Sequence, residues 1–207
     1  MKTRLVIFDF DGVIADTFSI TARIWRQYAK KTKIEVAQDD NFFRKFFELD
    51  WRLSADKWKI DKDDFIRFYN EYYKKNNPAI KIFPGIKKVL DTLSRDYILA
   101  VATNNKVKKI IPRLEEFEIK NHFQVIVGVD ECEYKPSPEM LLKIIQNLKI
   151  SPNQSVFIGD MDGDIIAGRQ AKLKKIIAVT YGFHSKERLI DADAIVDTPE
   201  EIIEAVK

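Results

Sequence analysis

A three-layer α/β core around a parallel sheet, with an inserted α-helical module, is the fold class this sequence predicts. Three observations predict it. Residues 5–8, Leu-Val-Ile-Phe, run unbroken into Asp9-Phe10-Asp11-Gly12, as a strand buried on both faces does. From Pro84 onward, short apolar runs alternate with stretches of helical period, the pattern of βαβ units and a parallel sheet. Between these, residues 16–83 hold more than half of the aromatic residues, all three tryptophans and none of the seven glycines. Such a composition break marks a separate module.

The elements follow in order. Asp9 and Asp11 lie two residues apart at the end of the first strand, so their side chains point the same way. Gly12 allows the backbone to turn behind them. In the module, Ile20, Ile24, Trp25 and Tyr28 follow a helical period, as do Phe42, Phe43, Phe46 and Phe47, and Phe65, Phe68, Tyr69, Tyr72 and Tyr73. A helical bundle with an aromatic core is expected, closed by Asn76-Asn77-Pro78 and Phe83-Pro84-Gly85. Beyond it the spacing predicts helix 86–95, strand 98–103, helix 106–118, strand 125–129, helix 138–148, strand 155–160, helix 164–172, strand 175–180, strand 194–196 and a short terminal helix. Pro112 falls inside one of these helices, so a kink or a late start is expected there. The core is thus discontinuous, residues 1–15 and 84–207, with 16–83 as a helical cap leaving the sheet directly behind Asp11.

Composition narrows the function classes. The 207 residues are 45% hydrophobic and 32% charged, suited to a soluble globular protein. No apolar run approaches the roughly 18 residues of a membrane span, and the N-terminus reads as a strand, with no signal peptide. A single cysteine, Cys132, excludes an internal disulfide and fits a cytoplasmic protein. The net charge of +3 comes without a dense basic stripe, so no nucleic-acid partner is expected.

Three further strand ends carry chemistry. One holds Thr103-Asn104-Asn105 before a helix N-terminus, an arrangement suited to an anion. Another leads to Lys135-Pro136, and a third ends in Gly159-Asp160-Met161-Asp162-Gly163-Asp164. In a parallel sheet these ends converge on one rim, where ligands bind. Carboxylate oxygens suit Mg²⁺, and a lysine beside helix N-termini suits a phosphoryl group. An aspartate is a competent nucleophile toward phosphorus, and a second carboxylate can move protons. Asp160, Asp162 and Asp164 open like an EF-hand loop, but Ile165 and Ala171 stand where that loop needs Gly and Glu. Gly159 and Gly163 form neither a P-loop nor a dinucleotide fingerprint. His122 and His184 show no partner pattern, and Asp162 reads as a solvated or helix N-terminal acid.

Asp9-Phe10-Asp11-Gly12-Val13, Thr103, Lys135-Pro136 and Gly159-Asp160-x-x-x-Asp164 together resemble, in order, the four motifs of the haloacid dehalogenase-like hydrolases. The helical insertion resembles their C1 cap, and residues 165–183 are similar to the phosphoglycolate phosphatase-like branch. The resemblance implies a Rossmann-like core and a Mg²⁺-dependent phosphatase working through an aspartyl-phosphate on a small phosphorylated metabolite. It implies Asp9 as nucleophile and metal ligand, and Asp11 as general acid/base that also gives the metal its backbone carbonyl. Thr103, backbone amides around Asn104, and Lys135 would hold the phosphoryl group. Asp160 would complete the metal site, with Asp164 as a further ligand, direct or through water. Met161 and Lys172 depart from the family pattern. Alternatives on the same fold are a β-phosphoglucomutase-like phosphotransferase and a pyrophosphatase; a different class is a non-catalytic phosphate-ligand sensor. Asp11 disfavours phosphonate hydrolysis and dehalogenation, which the resemblance associates with other residues there. A monomer or homodimer is expected. Among cap residues, Trp51, Phe47, Arg23, Arg44 and Arg52 are candidates to reach the substrate.

Overall fold

The computed structural model describes residues 2–37 and 39–207; Met1 and Gln38, within the expected core and cap ranges, lie outside the described residues. Six strands form one parallel sheet: β1 (Leu5–Phe8), β4 (Ile98–Thr103), β5 (Phe123–Gly128), β6 (Ser155–Gly159), β7 (Lys175–Val179) and β8 (Ala194–Val196), in the order β5-β4-β1-β6-β7-β8. Strand β1 is central, its residues in register with both β4 and β6. Alternation then sorts the side chains onto two faces. Val6 and Phe8 pack beneath α5 (Ile86–Leu93), α6 (Val107–Glu116) and α9 (Glu201–Ala205), whereas Leu5 and Ile7 pack beneath α7 (Glu139–Leu148) and α8 (Asp162–Gln170). The result is the three-layer Rossmann-like α/β fold that the alternating pattern predicts. Helix α6 starts at Val107 and runs through Pro112. The late start expected there does not occur, because Ile110 and Leu114 anchor one face of the helix in the core.

Four helices, α1 (Phe18–Thr32), α2 (Asp40–Phe46), α3 (Trp51–Lys57) and α4 (Lys62–Asn76), follow β1. Their apolar faces share a cluster that includes Trp25, Phe43, Phe47 and Phe65. Trp25 lies at its middle, its ring 4.4–5.8 Å from those of Phe46, Phe47, Trp58 and Phe65. The module joins the sheet through a two-stranded antiparallel ribbon, β2 (Ala15–Asp16) with β3 (Lys81–Ile82). No helix among the described residues is long and apolar enough to cross a membrane.

Candidate active site

The chain order places the carboxyl ends of β1, β4 and β6 side by side, at the point where the sheet's order of connection reverses. Such a point is where open α/β sheets bind ligands. Asp9 continues β1, its N–H donating to Ile158 O at 2.9 Å. Asp160 follows β6, and Asp164 lies on the first turn of α8. One carboxylate oxygen from each of Asp9, Asp160 and Asp164 falls within 4.8 Å of the others, and all three residues are buried.

Lys135 enters the same cluster from the loop after β5. It is fully buried, with Nζ 2.8 Å from Asp9 Oδ2 and 2.7 Å from Asp164 Oδ1. The third interaction of Nζ is donation to Ala102 O at 3.3 Å. Asn104 orients the loop: its Oδ1 accepts from Lys135 N–H at 2.8 Å, and its Nδ2 donates to Lys135 O at 3.4 Å. The Asn104 side chain is thus occupied by the loop, leaving its backbone for any anion. Thr103, fully buried at the end of β4, accepts from Asn105 N–H at 3.1 Å through Oγ1. Asp11 stands beside this group and accepts a hydrogen bond from the Asn105 side-chain amide. Its own carboxylate is not among the three clustered ones.

Asp160 is held by backbone. Its Oδ2 accepts from Phe183 N–H at 2.6 Å, while Oδ1 is buried with no hydrogen-bond partner. Gly12 has φ +76°, and a Cβ there would lie 2.0 Å from Asp160 Oδ2; one at Gly182 would lie 2.3 Å from the same atom. Only glycine therefore lets both loops close on this carboxylate. Asp164 Oδ2 accepts from the N–H groups of Asp160 and Met161 at 3.1 and 3.0 Å.

The electrostatics ask for a cation. Ionised, the three carboxylates and one ammonium leave two negative charges in excess in a buried site. Burial pushes Asp9 up to about 7, against the pull of Lys135 and with the help of Asp164. Burial, with the charges of Asp164 and Asp9, raises Asp160 well above the carboxylate range. Burial raises Asp11 also, opposed by Thr17 and Asn105. Lys135 is raised despite burial, because Asp164 and Asp9 hold its proton. The orphaned Oδ1 of Asp160, the hard-oxygen donor set and the double negative excess all fit a Mg²⁺ ion.

The helical module closes over this rim. Met161 belongs to its apolar cluster. His184 Nδ1 accepts from Asp162 N–H at 3.1 Å, so Nε2 carries the proton and donates to Phe47 O at 2.9 Å. Arg188 donates to Asp162 Oδ2, to Phe47 O at 2.8 Å and to Glu48 Oε2 at 2.8 Å. Asp162 and His184 are thus engaged in joining core to module, a role their sequence context does not announce. From α4, Tyr69 has its phenol raised by burial, by Tyr73 and by the charge of Asp11. Of the other module candidates, Phe47 is buried against Phe18, Trp25, Phe43 and Phe183, Trp51 stacks on Phe65, and Arg52 pairs with Asp50. Arg23 is exposed. Arg44 points inward, with its guanidinium over Phe18. Sequence reading missed Asn105, the Phe183 amide and Gly182. The first differs from Asn104 by one position in a turn, and the others act through backbone.

The chain is 31% identical over 182 residues to a Caldanaerobacter subterraneus protein whose name proposes a pyrophosphatase, covering 85% of this chain and 81% of that one. It is 31% identical over 183 residues to phosphoglycolate phosphatase of Aquifex aeolicus, covering 85% and 84%. Among solved structures, a Streptococcus pneumoniae haloacid dehalogenase-like hydrolase superposes with a TM-score of 0.82 at 23% identity, covering 99% of each chain. The family profile of haloacid dehalogenase-like hydrolases matches residues 6–178, and the chain belongs to that family.

Proposed function

We propose that the protein is a Mg²⁺-dependent phosphatase of small phosphomonoesters of the phosphoglycolate type, acting through an aspartyl-phosphate. The observation that carries this reading is the placement of Asp9 Oδ2, 2.8 Å from a buried lysine and clustered with Asp160 and Asp164. The names of the Aquifex and Caldanaerobacter relatives support phosphate-ester or phosphoanhydride hydrolysis.

Asp9, Asp160 and Asp164, with the Asp11 carbonyl, would hold Mg²⁺. Bound there, the ion offsets the excess negative charge and polarises phosphoryl oxygens. Asp9 attacks phosphorus and the bond to the leaving oxygen breaks. Asp11, whose burial favours the protonated form, gives that oxygen its proton. It then takes a proton from the water that cleaves the aspartyl-phosphate, so inorganic phosphate leaves and Asp9 is regenerated. Lys135 stays charged throughout and offsets charge on Asp9 and the phosphoryl oxygens. Thr103 Oγ1 and the amides near Asn104 bind those oxygens. Residues 16–83 act as a cap that shuts water out of the first step and admits it for the second.

The test is hydrolysis of an aryl phosphate with Mg²⁺, with EDTA and with Asp9→Asn. We expect Mg²⁺-dependent turnover that EDTA abolishes and the substitution lowers by about 10³-fold or more. Wild-type turnover no higher than that of Asp9→Asn would favour a phosphate sensor instead. A panel containing phosphoglycolate, sugar phosphates and pyrophosphate then separates the finer alternatives.

A further inference from the structure

Arg44, on α2, is partly buried, whereas cations of the module without an ion pair, such as Arg23 and Lys30, are exposed. Arg26 pairs with Asp40, Arg52 with Asp50 and Lys57 with Glu48. Arg44 has no ion-pair or hydrogen-bond partner among the described residues, and its Nη1 is buried. A buried N–H without an acceptor is unfavourable. The ring of Phe18 lies 4.2 Å from the guanidinium carbon, yet a π face does not satisfy in-plane N–H groups.

Its surroundings locate it. The Phe18 ring is 5.6 Å from that of Phe183, and the Phe183 N–H is the donor to Asp160 Oδ2. Burial lowers the Arg44 pKa, against Asp40, Asp160 and Asp16, whose charges reach it. Arg44 therefore lies on the module side of Asp160, linked to it through Phe18 and Phe183 and within reach of its charge.

We propose that Arg44 is a specificity-determining residue that binds a second anionic group on the leaving alcohol, so that the preferred substrates are phosphomonoesters bearing a carboxylate or a second phosphate. This rests on the phosphohydrolase reading of the site. A guanidinium fork matches either anion through paired N–H donors.

The test compares 2-phosphoglycolate with 2-hydroxyethyl phosphate, which differ at the distal group. Phosphate release is measured for the wild type, Arg44→Met, Arg44→Lys and, as a control for lost charge, Lys30→Met at an exposed position of α1. We expect Arg44→Met to lower the ratio of the two kcat/KM values by about tenfold or more, mainly through KM for 2-phosphoglycolate. Arg44→Lys should recover part of it, and Lys30→Met should leave the ratio unmoved. An unchanged ratio in Arg44→Met, or an equal fall in Lys30→Met, overturns the assignment while the hydrolase reading stands. A wild type inert toward both esters, and toward aryl phosphate, overturns that reading and this inference with it.

Discussion

Lys135 shows what single residues contribute. It sits at 0% exposure among acids, and burial pulls its pKa down; Asp164 and Asp9 more than reverse that shift. Removing one partner from a buried ionic group costs about 3–5 kcal/mol. Lys135→Met should therefore destabilise the metal-free protein by about that amount, read by denaturant unfolding, with Mg²⁺ recovering part of the loss. Asp9 gives a pH signature. Its folded pKa, about 7, lies above the ordinary 3.8, so the folded state binds the extra proton between these values. The stability from that proton is present at low pH and lost as pH rises from about 4 to 7. In metal-free protein, the difference in unfolding free energy between wild type and Asp9→Asn should shift against the wild type by a few kcal/mol across that window. Asp9, Thr103 and Asp160 were legible as candidates because each ends, or directly follows, a strand of obvious pattern, and Lys135, further along the loop after β5, because a proline follows it. Asn105 and the Phe183 amide were not, since a turn's register and a backbone donor leave no residue-type signal.

Among elements, the helical module depends on one hub. Trp25 is 2% exposed on α1 and touches rings from α2, α4 and the segment after α3. Trp25→Ala should cost about 3–5 kcal/mol, seen in urea unfolding as a lowered midpoint for the module. Arg188 binds the segment after α2 to the core through Phe47 O, Glu48 and Asp162. Arg188→Met should raise amide exchange in residues 45–49 by about tenfold or more, with smaller changes in the sheet. Period 3.6 announced α1, α2 and α4 because aromatic residues mark their buried faces. Helix α3, Trp51–Lys57, is seven residues long, with Ser54 and Ala55 as its buried positions, too small a stripe to register. The two-residue strands β2 and β3 likewise fall below any readable alternation.

For the whole molecule, the alternation of apolar runs and amphipathic helices made the parallel sheet legible, since crossover helices cover both faces of such strands. Strand ends shifted by one or two residues, as at β5, because pairing with β4 rather than composition sets them. The three clustered carboxylates come from the ends of β1 and β6 and the start of α8, so one divalent ion would tie separate parts of the core together. Mg²⁺ at about 100 times its dissociation constant should add about 2.7 kcal/mol of stability, measured as a raised Tm, and Asp160→Asn should remove most of that gain.

The ribbon of β2 and β3 has its own consequence. Ala15 faces Ile82 and Asp16 faces Lys81 as antiparallel neighbours, so the chain departs and returns through points about 5 Å apart. A two-residue hairpin turn spans that gap. Helical insertions of other lengths can thus be spliced onto the same sheet without re-registering a single strand.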